Sequence, residues 1–240
     1  MTEEVWNSRT LRLIGEEGAA ALRQARVLIA GVGGVGGYVA EMLVRSGVGH
    51  ITLVDFDVVA PSNLNRQLIA LRSTLGEPKV EAFCRRAAEI NPECRVEVRP
   101  QYVTPENVDE LLNPDYDFVA DCIDTVAPKV ALLAGCKDRH IRVISSMGAG
   151  GRLDPSQVQY ADLWETRQDG LARAVRDAFK RLGRKPSIPV VYSPEAPRTH
   201  SLLYETGRDN KRTSYGTLAT IPSLFGIYMA SYIIRKLIEK

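Results

Sequence analysis

A doubly wound α/β fold with a mostly parallel sheet is what this chain predicts, on three observations. The β-branched run Val27-Leu28-Ile29-Ala30 feeds the glycine-rich turn Gly31-Val32-Gly33-Gly34-Val35-Gly36 and then a helical pattern. Strand and helix patterns go on alternating through most of the chain, a rhythm that implies parallel strands joined by right-handed crossovers. The composition, 45% hydrophobic and 25% charged over 240 residues, suits one domain with a substantial core and carries no sign of disorder. The expectation is a single Rossmann-like domain over residues 1–240, divided into an arm (1–25), a nucleotide-binding core (26–150) and a substrate or dimer part (151–240).

The arm carries a helical pattern from Glu16 to Gln24, in which Ala20, Ala21 and Leu22 supply apolar positions and strong propensity. After the first strand, Val39, Ala40, Leu43 and Val44 recur at helical spacing, and Gly47 and Gly49 end that helix before the strand Ile51-Thr52-Leu53-Val54. That strand runs into Asp55-Phe56-Asp57 and the polar cluster Ser62-Asn63-Leu64-Asn65-Arg66-Gln67.

Leu75-Gly76-Glu77-Pro78 reads as a turn before a helix from Lys79 to Asn91, stopped by Pro92. Alternating Arg95 to Arg99 predicts a half-exposed strand, and Thr104-Pro105-Glu106-Asn107 predicts a short helix with Thr104 as N-cap and proline at its first position. A strand at Phe118 to Ala120, the acidic turn Asp121-Cys122-Ile123-Asp124, a helix from Pro128 to Asp138 and a strand from Arg142 to Ser145 repeat the pattern. Met147 to Gly151 is a glycine turn after a strand end, and a strand candidate at Val158 to Ala161 leads to an amphipathic helix from Gly170 to Leu182. Leu171, Val175, Ala178, Phe179 and Leu182 are expected inward. The opposite face, with Arg173, Arg176, Lys180, Arg181, Arg184 and Lys185, is either a solvated face or a local concentration of positive charge. Short strand candidates at Val190 to Tyr192 and Leu202 to Glu205 precede the final helix.

A net charge of +2 neither demands nor opposes a polyanionic partner. Cys84, Cys94, Cys122 and Cys136 form no C-x-x-C pair, so a reduced, cytoplasmic protein without structural zinc is expected. Residues 1–12 lack the apolar centre of a secretory signal. The most apolar stretch, Ile221 to Ile234, falls short of a membrane span and is interrupted by Pro222 and Gly226, which predicts a buried or interface helix and no stable membrane insertion.

The turn at Gly31, Gly33, Gly34 and Gly36 offers backbone amides and a positive helix end to a phosphate, and Asp55 suits a ribose. A nicotinamide cofactor fits those features alone. Asn63, Arg66, Gln67 and Lys79 add two cations and two amides at the same sheet edge, which suit a triphosphate whose charge is neutralised as it reacts. Asp124, at the end of a later parallel strand, can hold Mg²⁺ against phosphates or simply cap the helix from Pro128, and Lys79 can equally be a solvated first-turn lysine. Taken together the residues favour ATP.

This series of motifs, continued through Gly76-Glu77-Pro78-Lys79-Val80, resembles the adenylating fold of the E1, MoeB, ThiF and HesA superfamily over nearly the whole chain. The resemblance implies ATP with its α-phosphate open to a substrate carboxylate. It also implies nucleotide contacts from the four glycines, Asp55, Asp57, Asn63, Arg66, Gln67 and Lys79, and Mg²⁺ on Asp124. Arg9 matches an arginine that the family inserts into the partner subunit's ATP site, with Arg12 as the alternative, so catalytic roles fall to Arg9, Arg66, Lys79 and Asp124 in a homodimer. Members that activate sulfur carriers usually add zinc-binding cysteine pairs, and many add a crossover cysteine; Trp164 to Val191 has none. Ser8 to Glu17, Gly148 to Pro155 and Val191 to Glu195 resemble the tRNA threonylcarbamoyladenosine dehydratase branch. By that likeness the substrate carboxylate belongs to a modified adenosine beside the anticodon, cyclised with release of AMP, and the basic helix would contact tRNA phosphates. The alternative keeps adenylation but activates the C-terminal glycine of a ubiquitin-like sulfur-carrier protein; a sulfur-transfer partner protein is a further expectation.

Overall fold

The computed structural model describes residues 6–113, 115–204 and 213–239. Its centre is a seven-stranded sheet in the order β3-β2-β1-β4-β5-β7-β6, formed by β1 (Arg26–Ala30), β2 (His50–Val54), β3 (Arg95–Arg99), β4 (Phe118–Asp121), β5 (Val143–Ser146), β6 (Gln159–Asp162) and β7 (Pro189–Tyr192). Neighbours from β3 through β7 are parallel, and β6 runs antiparallel to β7 at the edge. The fold is α/β and mostly parallel, as the alternation of elements predicts. A separate pair, β8 (Leu202–Tyr204) and β9 (Thr213–Tyr215), forms an antiparallel hairpin; Glu205, the expected end of β8, lies outside the described residues.

β1, β2, β4 and β5 are covered on both faces, so their residues are almost all buried and read as continuous apolar runs. One apolar layer joins α2 (Gly36–Ser46), α3 (Lys79–Ile90) and α7 (Thr220–Ile238) to the sheet through Val39, Leu43, Phe83, Phe225 and Met229. The other joins α4 (Val108–Leu111), α5 (Val126–Asp138) and α6 (Gly170–Arg181) through Leu111, Leu132, Leu133, Val175 and Phe179. On α7 the residues Ile221, Phe225, Met229, Ile233 and Leu237 recur every fourth position and are buried. This helix runs for 19 residues, longer than the apolar stretch at Ile221 to Ile234 predicts, and by length and composition it meets the requirement for crossing a bilayer. Its buried stripe packs against α1, α2 and β5, as a core helix does.

The arm departs from expectation. Helix α1 begins at Ser8 rather than Glu16 and runs to Gln24 with a break at Gly15, whose φ of 69° and ψ of 176° are neither helical nor accessible at low cost to a side-chain-bearing residue. A Cβ on Gly18 would sit 3.0 Å from the Ile14 side chain, so the second segment folds closely onto the first. The sequence hides this because Ser8 to Ile14 holds few apolar residues, and the break falls on a glycine that reads equally as a terminus.

Thr104 and Asn107 bond reciprocally, Asn107 Oδ1 accepting from Thr104 N at 2.8 Å and Thr104 Oγ1 from Asn107 N at 3.3 Å, and Val108 N reaches Thr104 O at 3.2 Å. The expected cap at Thr104 therefore forms as a reciprocal box on the turn that leads into α4, whose regular part starts at Val108. One further expectation is corrected. Leu182 follows the end of α6 and is 57% exposed, while Ala172 takes a buried place on the inner face.

Candidate active site

The strand order changes direction between β1 and β4, and in such sheets ligands bind beyond the carboxyl ends at this switch. Four turns meet there: residues 31–36 after β1, Asp55 after β2, residues 121–124 after β4 and residues 147–151 after β5. Gly31 has φ of 90°, and a Cβ there would lie 2.9 Å from the Cys122 carbonyl oxygen, so the first and third turns touch backbone to backbone. Gly36 admits no side chain either, since a Cβ would overlap the Gly31 carbonyl. No side chain caps the start of α2, which leaves its positive end facing the switch point.

Asp55 is held in place before any ligand arrives. Its Oδ2 accepts from Val32 N at 2.6 Å and its Oδ1 from Asp57 N at 2.9 Å, and each oxygen keeps a second lone pair for a hydroxyl. Burial raises its pKa above the ordinary aspartate value, with Lys79 and the two amides opposing. A raised folded pKa means the folded state holds the proton more tightly, so stability falls as pH climbs from the ordinary aspartate value through the raised one. Asp55→Asn is expected to flatten that limb of the stability-against-pH curve, measured by thermal melts across pH 3 to 7.

Lys79 is not a solvated lysine. It opens α3, is 4% exposed, and its Nζ lies 2.6 Å from Asp57 Oδ2. One of its three donors is thereby used, with Asp57 half-exposed beside it. Asn63 is buried and its Oδ1 accepts from Ala60 N at 2.9 Å. Arg66 is anchored through Nη1 to Ser62 O at 2.8 Å and to Asn65 Oδ1 at 3.0 Å. Gln67 is buried with its Oε1 unpartnered among the described residues, and its Nε2 sits 3.7 Å from where a Cβ on Gly33 would be. The Gln67 amide nitrogen thus lies beside the glycine turn, where its N–H groups can donate to a phosphate oxygen. A Cβ on Gly34 would meet Pro222 at 3.2 Å and Arg66 Cγ at 3.5 Å, so the cluster, α7 and the glycine turn close on one another. Gly31, Gly33, Gly34, Gly36, Asp55, Asp57, Asn63, Arg66, Gln67 and Lys79 thus gather at one edge.

Asp124 is exposed at the end of the acidic turn, and the N-cap of α5 is Thr125. Beneath it lies a network that the sequence reading misses. Lys129 and Asp121 are both fully buried and paired at 2.5 Å, with Ser145 donating to the same carboxylate oxygen at 2.6 Å. A usable signal existed in the lone lysine inside Val126-Ala127-Pro128-Lys129-Val130-Ala131-Leu132-Leu133, since a lysine on an otherwise apolar helix face requires a buried anion. A second unforeseen pair, Arg152 and Asp169, locks the turn after β5: Arg152 donates to the Gly148 carbonyl and, at 3.1 Å, to the Glu195 carbonyl, and Asp169 accepts from Gly148 N at 3.0 Å. Asp169 also caps α6 through Ala172 N at 2.9 Å.

Arg9 and Arg12 are exposed on the first segment of α1, whose start at Trp6 and Asn7 lines a cleft with Arg23, His50 and Arg95. Those partners mark the amino ends of β2 and β3, across the sheet from the glycine turn. The structure therefore does not gather Arg9 with the other candidates in the same chain. The basic helix is also less available than its sequence suggests. Arg176 bonds Leu163 O and Thr166, Arg184 pairs with Asp138, and Lys185 lies over the Trp164 ring at 5.5 Å. Arg173 and Lys180 flank Asp177, at 3.9 and 3.6 Å.

All four cysteines are free thiols, and burial raises the pKa of each, to about 11 for Cys94 and about 12 for Cys136. A thiol held protonated at neutral pH is a poor nucleophile.

Comparison with known proteins returns the ThiF family model over residues 7–240. The tRNA threonylcarbamoyladenosine dehydratase of Haemophilus influenzae is 39% identical over 95% of this chain and 92% of its own. The crystal structure of the Escherichia coli tRNA N6-threonylcarbamoyladenosine dehydratase in complex with ATP superposes with a TM-score of 0.88 at 36% identity, covering 99% of this chain and 96% of that one. Its complex with AMP gives 0.87 at 37% over the same spans.

Proposed function

The chain belongs to the ThiF family, alongside tRNA threonylcarbamoyladenosine dehydratases, and on that premise we propose that it is an ATP-dependent dehydratase of this modified adenosine in tRNA. The carboxylate of the threonylcarbamoyl group attacks the α-phosphorus of ATP, pyrophosphate leaves, and an acyl adenylate forms. An internal nitrogen of the same group then attacks the acyl carbon, loses its proton and expels AMP, so the base ends one water lighter. The observation that carries the reading is the uncapped glycine turn at the switch point, with Asp55 already fixed on Val32 and the Gln67 amide nitrogen beside the turn.

In this reading the turn at Gly31 to Gly36 and the start of α2 bind phosphate oxygens, and Asp55 holds the ribose. Asn63, Arg66, Gln67 and Lys79 surround the phosphates, with the Arg66 guanidinium held from its Nη1 side. Asp57 orients Lys79 and keeps its charge compensated until phosphate arrives. Mg²⁺ would be held by Asp124 together with phosphate oxygens and would supply charge neutralisation for the departing pyrophosphate. Among the described residues no group of three or more His, Cys, Asp or Glu side chains forms a metal cage. One carboxylate beside a polyphosphate suits Mg²⁺, which keeps several waters.

The raised thiol pKa values support in-line ring closure without a protein thioester. Reaction with Mg-ATP and tRNA carrying the threonylcarbamoyl group should yield AMP, pyrophosphate and the dehydrated base by mass spectrometry. AMP formation indifferent to that tRNA but dependent on a ubiquitin-like protein would replace this reading with sulfur-carrier activation. We propose a cytoplasmic location, which suits a reaction on ATP and tRNA; a pool recovered with exported proteins on fractionation would contradict that. A sulfur-transfer partner stays a proposal that co-purification from cell extract would test.

We propose further that the enzyme is a homodimer whose Arg9 acts in the partner's site, supported by the position of the arm across the sheet from its own chain's glycine turn. Arg9→Ala and Asp124→Ala proteins should each be inactive alone, and mixed dimers should regain about a quarter to a half of the activity because one complete site forms per heterodimer. Mixtures without recovery would remove the role in trans.

A further inference from the structure

We infer that Lys129 is a positioning residue for adenylation: its buried ammonium sets the turn carrying Asp124 against the turn that follows β5. This deepens the proposal above and rests on the role given there to Asp124.

Lys129 Nζ has three donors, and all are used: on Asp121 Oδ2 at 2.5 Å, on Ser145 Oγ at 2.9 Å and on Ser146 O at 3.0 Å. The three acceptors belong to the ends of β4 and β5, while Lys129 itself comes from the early part of α5. The second carboxylate oxygen of Asp121 accepts from Ile123 N at 3.2 Å, which shapes the backbone that leads to Asp124. Cys122 N bonds Ala30 O at 2.8 Å, and the Cys122 carbonyl touches Gly31. One ammonium thus fixes the relation between the acidic turn, the glycine turn that receives phosphate and the residue that opens the turn at Met147.

Stability alone is a weak reason for such a pair. Two charges that are 0% exposed carry a large desolvation cost, and apolar side chains of similar volume commonly serve a fold as well or better. The rest of the buried α5 face is already apolar, with Val130, Leu132 and Leu133. Apolar packing cannot supply three directed bonds that hold two strand ends and a helix in one register, and an adenylating site needs its carboxylate placed within a fraction of an ångström. Full burial keeps Lys129 from touching ATP or tRNA, so it acts through Asp124.

The test compares Asp121→Asn/Lys129→Met, which removes both charges together, with Ser145→Ala, which keeps them and deletes the bridging hydroxyl. For the double variant we expect a cooperative melt, a tenfold or greater fall in kcat for AMP formation and a KM for ATP within threefold of wild type. The Mg²⁺ concentration for half-maximal binding of a non-hydrolysable ATP analogue should rise about tenfold. Ser145→Ala should show the same pattern at about threefold. A folded double variant with wild-type kcat and Mg²⁺ dependence overturns the inference, as does an activity loss that tracks the unfolded fraction. If the double variant does not fold, Ser145→Ala decides alone, and unchanged kinetics there overturns it. Asp124→Ala is run beside them: if it stays active, the role of Asp124 fails and the inference with it, whereas an inactive Asp124→Ala beside normal Lys129-network variants rejects positioning only.

Discussion

Asp124→Ala is expected to leave the protein folded and to lower AMP formation by about a thousandfold or more. The side chain is exposed at the tip of the acidic turn, so its removal opens no cavity. The backbone of that turn is held independently, through Asp121 to Ile123 N and through Cys122 N to Ala30 O. What disappears is the carboxylate that would share Mg²⁺ with the phosphates, a contribution made mostly in the transition state. The melting temperature should stay within a few degrees of wild type while kcat collapses. A variant that retains Mg²⁺-dependent turnover would show that another group holds the metal.

Gly36→Ala is the second large effect, and it falls on stability and nucleotide affinity together. A methyl at Gly36 would occupy the place of the Gly31 carbonyl oxygen, and backbone cannot yield as a flexible side-chain end can. The turn must open, at a cost of about 3 kcal/mol or more, and this withdraws Gly31 from its contact with Cys122. Calorimetric titration with ATP should show at least a hundredfold weaker binding, together with a lower melting temperature. Gly37→Ala makes the control, because a Cβ there meets only Leu68 Cβ at 3.8 Å, an ordinary contact. Equal damage from the two substitutions would mean that helix propensity or general packing, rather than the closure of the turn, is at issue.

Much of this architecture was open to view in the sequence. The strands β1 and β2 read as apolar runs because both sheet faces are covered, and β3 reads as an alternating one because it lies at an edge and is half-exposed. Helices α2, α3 and α5 follow their apolar spacing to within two residues at each end. The gathering of the candidate cluster was legible because residues 31–79 are nearly continuous in sequence, so that one βαβ unit and its following turn bring them to one edge. Arg176 and Arg184 illustrate the opposite case: the local pattern shows basic residues on and just after one helix, and not that Thr166 and Asp138 already occupy them.

By itself, then, the sequence determined the sheet, its switch point and the glycine-acid-arginine edge, since these depend on local periodicity and on glycines that only one backbone shape explains. Tertiary structure alone decided that Lys79 is buried against Asp57, that Lys129 bridges β4 and β5, that Arg152 locks the turn after β5, and that Gly15 breaks the arm. Each of those side-chain pairings joins residues carried by different elements or turns. A lysine's preference for water is overturned only when a carboxylate from another element meets it in a dry interior, and that meeting is a property of packing rather than of any local stretch.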